Sequence, residues 1–161
     1  MKTDLLFAMS IPIKAVPQSR PRATLGTSKR KIVMHDDSRS VSYKNVVRMR
    51  ALEACHSLGL DLPVAVGAGQ SLAVDIDVFF KPPSSCTARK RQEYIDGMHM
   101  PLGRPDVDNL AKAILDAMNG AVYEDDACIT DLSVIKRYGK EDKVIVCVYR
   151  LEVEGKEEDG Q

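Results

Sequence analysis

The sequence predicts a single α+β domain, and three observations carry that reading. The chain has 161 residues, 44% of them hydrophobic, enough for one domain with a real core. Residues 71–80, SLAVDIDVFF, alternate apolar and polar side chains, the period of a half-buried strand. Residues 40–58 and 108–118 switch to a helical period. With no Trp and only 3 Phe, the core must be built from Val, Ile, Leu, Ala and Met. The domain is expected over 1–152, with 153–161 a frayed acidic tail.

The elements follow in order. Residues 4–14 read as a first strand, with Pro12 marking an edge or a bulge. Residues 15–30 are a loop rich in Pro, Gly, Ser and Arg, and 31–35, KIVMH, is a short strand. The helix over 40–58 places Val41, Val46, Val47, Ala51, Leu52 and Cys55 on one stripe and ends at Gly59. A linker over 61–70 leads to the strand at 71–80, where Leu72, Val74, Ile76, Val78 and Phe80 share a face. Residues 84–97 form a short basic helix capped by Ser. The helix over 108–118 starts at a capping Asp108, buries Leu110, Ile114, Ala117 and Met118, and stops at Asn119-Gly120. Strands near 128–138 and 143–153 follow, joined by GKED as a hairpin-like turn.

Net charge is zero, with 23 basic and 23 acidic residues, but the charges are not mixed evenly. Residues 14–50 carry ten Lys or Arg against Asp36 and Asp37. A second basic group is Lys81, Arg89, Lys90 and Arg91. The acids gather at 106–131 and after Arg150. A basic first half and an acidic second half suit a protein that meets a polyanion with one region and holds a cation with another. The bland alternative is two solvated faces of opposite sign. Cysteines 55, 86, 128 and 147 show no CxxC pair and no metal-finger spacing, so they read as reduced thiols of a cytoplasmic protein. No segment has the length and apolarity expected of a membrane span.

The segment RPDVDNLAKAILDAMNGAVYEDD, residues 104–126, concentrates the chemistry. It sets Asp106, Asp108, Asp116, Asp125 and Asp126 around one lysine, Lys112. Two carboxylates about 4 Å apart repel by roughly 4 kcal/mol at an effective dielectric near 20. A divalent cation removes that cost and turns the cluster into a site for phosphate chemistry. A helix advances about 100° per residue, so Asp108, Lys112 and Asp116 share a polar stripe opposite Leu110 and Ile114. Asp106 lies just before the helix, and Asp125-Asp126 arrives after a turn. The bland reading takes Asp108 as an N-cap, Lys112–Asp116 as an i,i+4 ion pair and Asp125-Asp126 as a turn. An EF-hand reading of DVDN fails, because the sixth position lacks Gly and the segment continues as a helix.

This segment resembles the signature of RusA-type crossover-junction (Holliday junction) endodeoxyribonucleases of bacteria and phages. The shared pattern is a D-x-D-N-L-x-K helix, then L-D-A-x-N-G, then a D-D pair before a strand. SIPIKAVPQSRPRA resembles that family's opening strand and Arg-Pro-Arg loop, and VDIDVFFKPPSS its central strand. The resemblance implies a RusA-like fold, a mixed β-sheet with helices packed against it. It implies a Mg²⁺-dependent homodimer, with Mn²⁺ as a substitute, that nicks opposed strands of a four-way DNA junction in recombination and repair. Its essential carboxylates match Asp106, Asp108 and Asp126 as metal ligands, and its lysine matches Lys112. Asp116 and Asp125 match supporting positions. His99, just ahead of the acidic segment, is a further supporting candidate.

Under this reading Arg20, Arg22, Lys29, Arg30 and Lys31 grip the junction arms, as do Arg89, Lys90 and Arg91 on the short helix. Few aromatics accompany them, so base stacking of the single-strand-binding kind is not expected. Two rival readings stay open: a metal nuclease acting on flaps or single strands, and a non-catalytic DNA-binding accessory protein.

Overall fold

The computed structural model describes residues 4–18, 22–25, 32–35 and 37–152, with 22–25 and 32–35 described as backbone only. The expected tail at 153–161 lies outside them. The chain runs β1 (Asp4–Ile11), β2 (Arg22–Leu25), β3 (Ile32–His35), α1 (Ser38–Ser57), β4 (Gln70–Phe80), α2 (Ala88–Ile95), α3 (Val107–Met118), β5 (Ile129–Tyr138) and β6 (Lys143–Glu152).

Alternation in sequence becomes a two-faced sheet. The strand order is β1-β6-β4-β5. β6 is antiparallel to both β1 and β4, whereas β4 and β5 are parallel, so the sheet is mixed. Register lines the apolar residues into rows. Phe7 lies opposite Val148 and Val148 opposite Val74; Met9, Val146 and Ile76 make the next row, and Ile11, Val144 and Val78 the third. All nine are buried. Each fully buried side chain of this size contributes about 1.5–3 kcal/mol. α1 and α3 close this core with Val47, Ala51 and Cys55 from one helix and Leu110, Ile114 and Met118 from the other.

The structure corrects several expectations. β5 and β6 are not a hairpin: β4 lies between them. Their short link therefore crosses the end of β4, spanning two strand spacings of roughly 4.8 Å each. There the Gly139 N–H donates to the Phe80 carbonyl at 2.9 Å. A Cβ on Gly139 would stand 3.0 Å from the Phe79 ring, so a side chain there would make the ring give by a few tenths of an ångström. Residues 22–25, expected as loop, pair antiparallel with β3. β1 ends at Ile11, before Pro12, and lies at the sheet edge as the proline requires.

α1 buries Val47, Ala51 and Cys55 of the expected stripe but not all of it. Ser40, Tyr43, Val47, Ala51 and Cys55 are buried, whereas Val41 and Val46 are exposed. Tyr43 continues the i,i+4 row of Val47, Ala51 and Cys55, and Val41 and Val46 lie off it. α2 is capped by Thr87, whose side chain accepts from the Lys90 N–H at 3.3 Å, rather than by Ser. Among the described residues no helix is long and apolar enough to cross a membrane.

Candidate active site

α3 positions the acidic segment. Its apolar residues Leu110, Ala111, Ala113, Ile114, Ala117 and Met118 are buried, which turns the polar stripe outward. The helix starts one residue earlier than its sequence suggests, at Val107. Asp106, not Asp108, holds the N-cap position, and its side chain makes no cap hydrogen bond. A capping aspartate is usually worth about 1 kcal/mol, so this carboxylate stands at a cap and does not cap. Asp108 sits in the first turn, where the helix dipole favours negative charge. Asp106, Asp108 and Lys112 are all exposed.

The far end of α3 is tied down. Asp116 Oδ2 pairs with Lys44 Nζ of α1 at 3.2 Å, rather than with Lys112. Gly120 takes φ +68°, the left-handed stop anticipated at Asn119-Gly120. The chain then turns through Tyr123, whose ring is fully buried and whose hydroxyl donates to the Leu115 carbonyl at 2.9 Å. Burial pushes the Tyr123 phenol well above its ordinary value, and the negative charges of Asp126, Cys128 and Asp116 push it further. The same phenol therefore feels Asp116 from the helix and Asp126 from the following turn. Burial likewise raises the Cys128 thiol, with Asp125 and Asp126 adding to the rise.

Asp125 and Asp126 are neighbours with different duties. Asp125 caps a single 3-10 turn, Asp126–Cys128, by accepting from the Ala127 N–H at 2.8 Å. Asp126 is exposed, and its carboxylate takes no hydrogen bond or ion pair among the described residues. Among those residues no group of three or more His, Cys, Asp or Glu is placed to hold a metal ion, so the expected trio Asp106, Asp108 and Asp126 is not gathered into one ligand set. The donor set of Asp106, Asp108 and Asp126 is hard carboxylate oxygen. Magnesium takes such oxygen and completes its shell with water and substrate phosphate, using only one or two carboxylates. The residue types fit that ion.

Sequence reasoning did not find the residues that hold this site in place. Lys136 Nζ of β5 donates to the carbonyls of Gly103 at 2.7 Å and Pro105 at 3.0 Å, fixing the loop immediately before Asp106. The Gln18 N–H donates to the Asn109 carbonyl at 2.9 Å, so the chain reaches the basic loop from the first turn of α3. Lys44 and Tyr123 complete the frame. Lys136, Gln18 and Lys44 act across long separations in sequence, as when Lys44 reaches Asp116, whereas Tyr123 acts within the acidic segment itself.

Other expected residues fall as follows. Arg20, Lys29, Arg30 and Lys31 lie outside the described residues, and Arg22 is described as backbone only. Arg89, Lys90 and Arg91 are exposed on α2, with Arg89 paired to Glu93 at 3.3 Å. α2 buries none of its residues and is attached through Tyr94, whose ring meets Tyr138 edge-on at 4.6 Å. His99 stacks on Tyr94 at 4.7 Å and lies 3.8 Å from Glu93, so the structure places it with α2.

Comparison with known proteins agrees with this arrangement. The family model described as endodeoxyribonuclease RusA matches residues 12–149, from the end of β1 to near the end of β6. An uncharacterized protein of Bacillus subtilis (strain 168), YqaN, is 30% identical over 135 residues, covering 83% of this chain and 88% of that one.

Proposed function

The chain belongs to the RusA endodeoxyribonuclease family, and on that premise we propose that it is a Mg²⁺-dependent enzyme that resolves four-way DNA junctions by paired symmetric nicks. The observation that carries the proposal is the sorting of the aspartates. Asp106 occupies an N-cap without capping, and Asp126 begins a turn whose side-chain bond is made by Asp125. A fold that gives up the stabilisation of a cap leaves that carboxylate for other work.

In this reading Asp106, Asp108 and Asp126 would supply the metal's carboxylate ligands, one or two of them at a time, with water and substrate phosphate completing its shell. When bound, the ion lowers the pKa of a coordinated water and neutralises charge on the reacting phosphate. The remaining roles belong to the chain. Lys112 has no ion pair among the described residues, so its ammonium is free to donate to a phosphate oxygen. Tyr123 keeps its proton and holds the helix to the Asp126 turn. Lys136 fixes the approach to Asp106. No Ser, Cys or His nucleophile is needed. A junction presents two equivalent strands, so paired nicks call for two such sites on a two-fold axis, that is, a homodimer. Recombination and repair would be the setting.

The test is an end-labelled four-way junction incubated with and without Mg²⁺, with flap, single-strand and linear-duplex substrates in parallel. Symmetric nicks on the junction alone, only with metal, are the expected result. Preferential cleavage of flaps or single strands moves the protein to another nuclease class. Junction binding with no metal-dependent cleavage makes it an accessory protein.

A further inference from the structure

A cavity of about 220 Å³ opens beside α3, between the ends of β4 and β5 and the loop before Asp106. Its charge is one-sided. Lys14, Lys81, Arg104 and Lys136 line it, and among the described residues no carboxylate does. Lys136 is committed to the Gly103 and Pro105 carbonyls. Lys14, Lys81 and Arg104 are exposed and have no ion pair among the described residues. The nearby Asp142 is held by the backbone N–H of Lys81 at 3.0 Å, not by its ammonium.

The rest of the wall is apolar. Phe80 and Tyr138 are half-buried at its base, and Leu102 stands at its mouth 91% exposed. Cations above an aromatic and aliphatic surface match a phosphate joined to a sugar and base. The size points the same way. Sites for free small molecules run to about 300–1,000 Å³, so this cavity suits one unit of a polymer better than a whole cofactor. Pro105 forms part of the wall, and the next residue is Asp106.

We propose that this pocket seats one nucleotide of the DNA strand next to the scissile phosphate, its phosphate held by Lys14, Lys81 and Arg104 and its sugar and base against Phe80, Tyr138 and Leu102. The inference rests on the nuclease reading and adds a subsite to it. The three cations hold the strand in register, while Lys136 stiffens the floor they share with Asp106. That division explains why the cavity carries four cations of which only three face outward.

The test measures binding without divalent metal, so that it is independent of cleavage. The full-length protein and a Lys81→Ala/Arg104→Ala variant are titrated against a fluorescent four-way junction over a range of salt. Loss of two phosphate contacts should raise Kd about tenfold or more and lower the slope of log affinity against log salt by about two. A variant with the native circular dichroism spectrum but unchanged affinity and slope overturns the subsite, even if the enzyme resolves junctions. A wild-type protein that cleaves nothing, but whose variant shows the reduced slope, overturns the nuclease reading and leaves the subsite standing. If the variant does not fold, wild-type protein is photocrosslinked to junctions carrying 5-iododeoxyuridine at successive positions around the nick. Crosslinks to Phe80 or Tyr138 next to the nick support the subsite, and their absence there overturns it. Displacement of the junction by a free deoxynucleoside monophosphate at micromolar concentration assigns the pocket to a free nucleotide instead and also overturns it.

Discussion

The two ends of α3 put the same side chain to opposite uses. At the C-terminal end Asp116 is paired with Lys44, and beyond it Asp125 caps a turn. At the N-terminal end Asp106 stands at a cap without capping, with Asp108 and Lys112 exposed along the same helix. Asp126 belongs with the second group although it is adjacent to Asp125. The difference teaches that the aspartates of 104–126 form two sets, a frame and an edge without partners among the described residues, which the proposed function makes the reactive one. Sequence proximity does not say which residue belongs to which.

The largest effect should come from the edge. Asp106→Asn is expected to lower junction cleavage by about 10²–10³-fold or more, the scale on which loss of one group acting on developing charge is felt. Its melting temperature should hardly move, because no cap bond is lost. A drop in stability of about 1 kcal/mol, as for an ordinary cap, would place Asp106 in the frame. Lys112→Met should follow the same pattern with a smaller loss of rate, near 10²-fold or below, and unchanged junction affinity at high salt.

The frame should answer in stability instead. Tyr123→Phe removes one of two donors to the Leu115 carbonyl, which keeps the Asn119 N–H, and should cost about 0.5–1.5 kcal/mol in denaturant unfolding. It should also change the alkaline limb of stability. The folded Tyr123 and Tyr43 phenols titrate above their ordinary value of 10.0. Above that pH the unfolded phenols ionise while the folded ones stay protonated, so ionisation favours unfolding. Stability contributed by their protonated state is complete below about pH 10 and is lost as pH rises toward the folded values. Tyr123→Phe should remove part of that fall, and an unchanged alkaline limb would count against the burial argument. The smallest effect is expected at the half-exposed ion pair: Lys44→Met or Asp116→Asn should cost within about 1 kcal/mol.

Much of this was legible in the sequence. The alternation of 71–80 predicted β4, and Asn119-Gly120 marked the end of α3. The D-x-D-N-L-x-K pattern marked the family. Other features depend on partners far along the chain. Residues 22–25 are too short to declare a strand until 32–35 pairs with them. The supposed β5–β6 hairpin dissolves because β4 enters between strands that are neighbours in sequence. α1 buries the expected Val47, Ala51 and Cys55, but Tyr43 joins their row while Val41 and Val46 stay exposed. The cap position falls on Asp106 rather than Asp108, at the end of a loop held by Lys136 from 31 residues beyond Pro105.

The central claim, that frame and edge are separate sets, meets its most direct test in two adjacent residues. Junction cleavage with Mg²⁺ is measured for Asp125→Asn and Asp126→Asn side by side. Asn at 125 keeps an oxygen to accept from the Ala127 N–H, so that variant should retain most of its activity, whereas Asp126→Asn should lose cleavage and still bind the junction. Equal losses at both positions, or full activity in Asp126→Asn, would contradict the account.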